Sequence, residues 1–175
     1  MSPLDSVFWL LNFPAAHGYA MVFIAGFSIL GLFVMSARGA TAGGGLRQIR
    51  EREGLLRAQD RPRGQVGDRV LRIVFRVLAF VMLGSLVIGI LSLTGVPVTR
   101  AYIYDNGRPT TATTDGDWVT FTTAEGVEYT LESNFFTPAV YPDRDAYIPT
   151  GEPVVVRYLP GHPQAFVIDS SQTPR

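Results

Sequence analysis

Val77-Leu-Ala-Phe-Val-Met-Leu-Gly-Ser-Leu-Val-Ile-Gly-Ile-Leu-Ser-Leu-Thr-Gly-Val-Pro-Val-Thr99 runs without a single charged residue. At about 1.5 Å of rise per residue, such a helix matches a hydrocarbon core of about 30 Å. A helix on the surface of a soluble protein would keep a polar face. Here only Gly84, Ser85, Gly89 and Ser92 interrupt the run of Ala, Val, Leu, Ile, Met and Phe before Thr94. The stretch predicts a membrane-spanning helix over residues 71–95. Working back from it, residues 6–37 form a second uncharged stretch, bounded by Asp5 and Arg38. Residues 18–37 within it supply the roughly 20 apolar residues of another crossing.

A cleaved signal peptide is the rival reading of the first stretch. It fails because no Arg or Lys precedes the apolar run, and the run is too long. Residues 1–17 therefore read as an interfacial segment, with Trp9 at headgroup depth. Charge sets the orientation. The net charge is zero, yet residues 37–76 hold ten Arg against four acids, and residues 77–175 hold five Arg against ten acids. The basic connection, residues 38–70, belongs in the cytoplasm by the positive-inside rule. Both ends of the chain then lie outside, in a multi-pass protein of the plasma membrane. Arg72 and Arg76, one turn apart, are expected to snorkel to the cytoplasmic interface and set the depth of the second helix. Within the connection, residues 46–57 read as a short helix. Either its arginines lie on anionic lipid or they serve topology alone. Nucleic-acid binding is not expected, because the loop lacks aromatic stacking residues.

Beyond Val96 the composition turns to Thr, Tyr, Val, Gly, Pro and acids. Residues 98–104 read as a strand, and Asp105-Asn106-Gly107 as its turn. Residues 118–122 and 127–131 alternate around a turn at Ala124-Glu125-Gly126. Val119, Phe121, Val127, Tyr129 and Leu131 would share one face. Residues 154–158 and 164–168 form a last pair around Leu159-Pro160-Gly161-His162-Pro163. About five short strands predict a small antiparallel β barrel or sandwich over residues 96–169, followed by a flexible tail at 170–175. The fold class is thus an α+β membrane protein, with two N-terminal transmembrane helices ahead of an extracytoplasmic β domain.

Two stretches carry a resemblance. Val119-Thr-Phe-Thr-Thr-Ala-Glu-Gly126 and Gly151-Glu-Pro-Val-Val-Val-Arg-Tyr-Leu-Pro-Gly-His-Pro163 resemble the hairpin and closing signature of the domain of unknown function 3592 family. The likeness covers roughly the last 70 residues. It implies a small extracytoplasmic or membrane-associated β domain beside transmembrane helices, with no activity attached. The positions that match are Gly126, Gly151, Val154, Val156, Tyr158, Pro160 and Pro163. Each also has a folding reason: alternate residues 154, 156 and 158 share a face, the glycines permit positive φ, and the prolines stiffen a turn.

Chemistry is sparse. With no cysteine and two histidines, thiolate catalysis, disulfides and Cys-ligated zinc are excluded. No cofactor or metal is expected. Asp115-Gly116-Asp117 reads as a turn, and Asp143-Arg144-Asp145 as a locally paired loop. His162 lies in a turn, and His17 at the outer end of the first helix. Small residues Ser85, Gly89 and Ser92 share a helix face. They are expected to pack on the first helix of the same chain at Gly26 and Gly31, with a dimer as the alternative. The expected function is non-enzymatic: a membrane protein presenting a β interaction domain to an unknown protein partner. The alternatives are an anchored enzyme with a cleft near residues 135–147, and a signalling or assembly factor acting through the Arg-rich loop.

Overall fold

The computed structural model describes residues 3–41 and 65–172. The Arg-rich segment at 42–64, including the expected helix at 46–57, lies outside the described residues, as do residues 173–175 of the tail. Among the described residues, four helices and six strands follow in order. The helices are α1 (Pro3–Ala16), α2 (Gly18–Thr41), α3 (Gln65–Leu93) and α4 (Arg100–Asn106). The strands are β1 (Arg108–Asp115), β2 (Trp118–Thr122), β3 (Glu128–Glu132), β4 (Val140–Tyr141), β5 (Pro153–Leu159) and β6 (His162–Asp169). Two compact units result: residues 23–84, and residues 1–22 with 85–175.

The first unit holds most of α2 and α3. Both helices are long and apolar enough to cross a membrane, over Gly18–Met35 and Arg69–Leu93. Their large side chains face outward: Phe27 is 77% exposed and Phe80 71%. Ala25 and Ala79 are the buried apolar residues of this unit among those described. Gly26 and Gly31, expected to form grooves, have no neighbour within 4 Å of an added Cβ. Arg76 is exposed, whereas Arg72 is half-buried and its Nε is buried without a hydrogen-bond partner.

The second unit is built on one curled sheet in the order β3-β2-β1-β5-β6-β4. Neighbours are antiparallel except β4 and β6, which run parallel. The expected small antiparallel barrel or sandwich is therefore a mixed half-barrel with edges at β3 and β4. Its main core joins Ala112, Val119, Phe121, Val154, Val156, Tyr158, Phe166 and Ile168. Tyr129 and Leu131 pack on that core from β3. Val127 does not: it precedes β3 in the hairpin connection and is exposed.

Two further expectations change. Residues 98–104, rich in β-favouring side chains, end in helix α4 instead of a strand. Thr99, Arg100 and Ile103 are buried together, which is a helical spacing. Contacts with α1 and the sheet thus override local propensity. Asn106 and Gly107 then close a helix, the Gly107 amide donating to the Ile103 carbonyl at 2.7 Å. The strand absent from the sequence reading is β1, Arg-Pro-Thr-Thr-Ala-Thr-Thr-Asp, which lies between β2 and β5. Finally, Pro163 is the second residue of β6 and not part of the turn. It sits beside a register shift at Tyr158/Leu159, where a missing amide is tolerated.

Candidate functional site

The second unit gathers its polar groups where α1 gives way to α2 and where α3 ends. Gly18 and Gly89 bring those two points together. A Cβ on Gly18 would lie 2.7 Å from the Gly89 carbonyl oxygen, and one on Gly89 3.1 Å from Met21 Cβ. The close approach of α2 and α3 is thus at Gly18, one helix end away from the glycines expected to provide it. Ser85 is half-buried on the same helix. Three residues beyond Gly89, the buried Ser92 hydroxyl donates to the Ala15 carbonyl at 2.6 Å. The Thr137 hydroxyl donates to the Ala16 carbonyl, and the Thr99 hydroxyl to Asn12 Oδ1 at 2.8 Å. Side-chain hydroxyls thereby tie the last turn of α1 to α3, to α4 and to the connection between β3 and β4.

Two arginines enter this knot. Arg100 is 7% exposed, and its Nη2 donates to Ser92 Oγ at 3.2 Å. Arg144 Nη1 donates to the Leu93 carbonyl at 3.2 Å, and Nη2 to the Phe136 carbonyl at 2.9 Å. Arg144 therefore caps α3, where the helix dipole favours a cation, and does not pair locally with Asp143 and Asp145. Burial, and then the charge of Arg144, lower the Arg100 pKa from its usual value to about 10. It remains a cation at neutral pH. Among the described residues no carboxylate lies within ion-pair distance of either guanidinium.

Along α1, one face docks on the sheet and α4. The Tyr102 hydroxyl donates to Asp5 Oδ1 at 2.9 Å, and the Phe8 and Tyr102 rings stack at 3.8 Å. Trp9 stacks on His162 at 4.4 Å, and Ser6 Oγ lies 3.3 Å from His162 Nε2. His162 is thus a docking residue for α1. The opposite face leaves Leu4, Val7, Leu10 and Phe13 exposed, an apolar stripe at helical spacing. His17 marks the break between α1 and α2, its Nδ1 2.9 Å from the Phe13 carbonyl oxygen.

No family model, curated protein or solved structure matches this chain. The residues quoted for the resemblance take structural positions. Gly126 and Gly151 have φ of 80° and 81°, which other residues rarely adopt. Val154, Val156 and Tyr158 are buried on one face of β5. The Tyr158 hydroxyl accepts the Ala124 amide at 2.8 Å and anchors the β2–β3 turn to β5. Pro160 lies in the two-residue turn between β5 and β6.

Of the residues of the enzyme alternative, Phe135 and Phe136 meet edge-on, while the others take separate contacts. Tyr147 is 82% exposed, Tyr141 packs against Tyr104, and Phe136 stacks on Tyr19. Asp143 and Asp145 are exposed, with Asp143 Oδ1 accepting the Asp145 amide. A second buried network went unread in the sequence. Asp169, fully buried, accepts Arg157 Nε at 3.0 Å and Gln172 Nε2 at 2.9 Å, together with the Ser171 amide and hydroxyl. Burial alone would raise its pKa. The hydrogen bonds from Ser171, Arg157 and Gln172 outweigh burial and lower it. Arg157 in turn lies over the Tyr104 ring. The network fastens α4 to the back of the sheet.

Proposed function

We propose that this chain is a non-enzymatic membrane protein of the plasma membrane whose half-barrel is held at the outer face and serves as a binding module for a protein partner. One observation carries the reading. The two long helices expose Phe27, Leu30, Phe33, Phe80 and Val81 along their lengths, an apolar surface that suits hydrocarbon. The positive-inside rule then puts residues 38–70 in the cytoplasm and both chain ends outside. The exposed stripe of α1 adds support: a helix whose inner face docks on protein and whose outer face is apolar suits the bilayer interface. Resemblance to the domain of unknown function 3592 family agrees with a β domain displayed beside membrane helices. Exposed Trp118, Val127 and Tyr147 offer aromatic and apolar contact points on the half-barrel. The acidic surplus after residue 77 favours a basic partner surface.

Topology is tested by an impermeant maleimide on intact cells, because the chain has no native cysteine. Thr173→Cys is expected to label and Thr41→Cys to label only after lysis. The opposite pattern would overturn the orientation. The binding role is tested by photocrosslinking from positions 118 and 147 in intact cells. A discrete adduct is expected at one of them, and repeated absence of any adduct at both would remove the binding reading.

A further inference from the structure

We propose that Arg100 and Arg144 form a phosphate-binding site that holds the headgroup of a phospholipid where α3 leaves the bilayer. This rests on the membrane reading above and adds a ligand to it.

The position of these residues is the first reason. Arg100 is the first charge after the uncharged stretch of residues 77–99, and by that reading it stands at the outer end of a crossing. Basic residues are disfavoured there for topology, so a cation at this depth calls for a local counter-charge. The protein supplies little. Arg100 Nη2 and Arg144 Nη1 are bound to consecutive residues of one helix end, Ser92 and Leu93. Two like charges therefore share the last turn of α3. The helix terminus offsets about half a unit of charge. No carboxylate among the described residues pairs with either arginine. An excess of more than one positive charge is left in a place that is 7% exposed at Arg100.

The chemistry of the donors is the second reason. Arg100 engages one N–H, with a hydroxyl, and Arg144 engages two, with carbonyls. The remaining donors are planar forks, which match phosphate oxygens in bidentate geometry. The lowered pKa of Arg100 fits this picture, since burial and Arg144 both work against its charge. A bound anion would reverse that effect.

The surroundings choose lipid phosphate over phosphate in solution. Arg144 holds the Phe136 carbonyl. Phe136 stacks on Tyr19 in the first turn of α2 at 4.7 Å and meets the Phe135 ring edge-on at 5.4 Å. Phe135 is 78% exposed. Aromatic rings at this level belong to the interfacial belt, where the glycerol end of a phospholipid lies.

The test uses the purified full chain in a non-ionic detergent, followed by thermal unfolding. Dioctanoyl phosphatidylglycerol is expected to raise the Tm saturably, whereas dioctanoylglycerol and inorganic phosphate at equal concentration are not. Arg144→Gln, at a half-buried position, is expected to weaken the half-saturating concentration about tenfold, the loss of one charged hydrogen-bonding partner. Arg100→Lys, which keeps the charge and loses the fork, is expected to weaken it less. No saturable shift with wild type overturns the site, as does an equal shift with dioctanoylglycerol or an affinity unchanged in both variants. An equal shift with inorganic phosphate overturns the assignment to lipid. Wild type alone decides all of these except the variant comparison, should a variant fail to fold. A chain that needs detergent yet ignores the headgroup fails this proposal only. A chain soluble without detergent fails the membrane reading as well.

Discussion

Gly18→Ala adds one methyl group at the point where α2 and α3 come closest. In an ordinary helix interior the change would stabilise, because alanine is favoured over glycine by about 1 kcal/mol. Here the new Cβ would lie 2.7 Å from the Gly89 carbonyl oxygen, with Leu93 Cγ and Thr137 Cγ2 each at 3.2 Å. Ordinary contact begins near 3.4 Å, so the backbone of α3 must retreat by about 0.7 Å. The obstacle is a main-chain atom and cannot rotate away. Moving it also disturbs the Ser92 bond to the Ala15 carbonyl and the Thr137 bond to the Ala16 carbonyl. Overpacking of this kind costs about 1–3 kcal/mol, which outweighs the propensity gain.

Gly84→Ala is the internal control, since nothing lies within 4 Å of a Cβ there. It is expected to be neutral or stabilising by up to about 1 kcal/mol. The two variants should therefore separate by roughly 1–3 kcal/mol, Gly18→Ala being the less stable. Chemical unfolding in a fixed detergent, read from Trp9 fluorescence, measures both, because Trp9 reports the docking of α1 on His162. If Gly18→Ala is as stable as Gly84→Ala, the helices do not approach at Gly18 and the reasoning fails. A change of oligomer mass with Gly89→Leu, measured by light scattering, would place the glycine contact between chains instead.

Val156→Asp is expected to unfold the half-barrel, because Val156 is fully buried and an unpaired buried charge there costs about 4 kcal/mol or more. Retained protease resistance would refute the β5 assignment. Asp169→Asn is expected to cost roughly 2 kcal/mol, since it leaves Arg157 and Gln172 without their shared carboxylate. The folded pKa of Asp169 is lowered, so its contribution is complete above the unfolded value near 3.9 and disappears as pH falls through the folded value. Acid unfolding should accordingly be shallower in Asp169→Asn than in wild type, and identical acid limbs would refute the network. Trp9→Ala is expected to lower stability by about 1–3 kcal/mol through lost stacking on His162 and lost burial, and an unchanged unfolding midpoint would show that α1 is not docked.

The parts legible in the sequence were those with a period. The hairpin at residues 118–132 was readable because Val119 and Phe121 alternate with Thr120 and Thr122. The strand at 153–159 was readable for the same reason. Strand β1 was not, although it lies between β2 and β5. Its inward residues are Ala112 and Thr114, too small and too polar to mark a buried face, and the Thr114 hydroxyl is satisfied by the Pro149 carbonyl, a partner 35 residues away. Helix α4 failed in the other direction. Tyr102, Ile103 and Tyr104 favour strand locally. Phe8 for Tyr102 and Arg157 for Tyr104 supply the contacts that select helix, and both lie far off in the chain.

The polar junction was hidden for a related reason, yet one of its members could be found by argument from charge alone. Ser92 looked like one more small residue on a packing face, and Arg144 like the centre of an Asp-Arg-Asp loop. Nothing local to either says that one binds the end of α1 and the other the end of α3. Arg100 is different. On the orientation proposed above, the ten arginines on one side of the second apolar stretch already fix the topology, so a cation immediately beyond the other end adds nothing to it. Burial in the fold makes the position costlier still, and pairing two such cations on Ser92 and Leu93 doubles the difficulty that one carboxylate would have removed. Water could have hydrated an exposed arginine and a nearby Asp could have neutralised a buried one. Arg100 is buried and has no carboxylate within ion-pair distance among the described residues, and on the membrane reading proposed above a phosphate is the group that meets its charge.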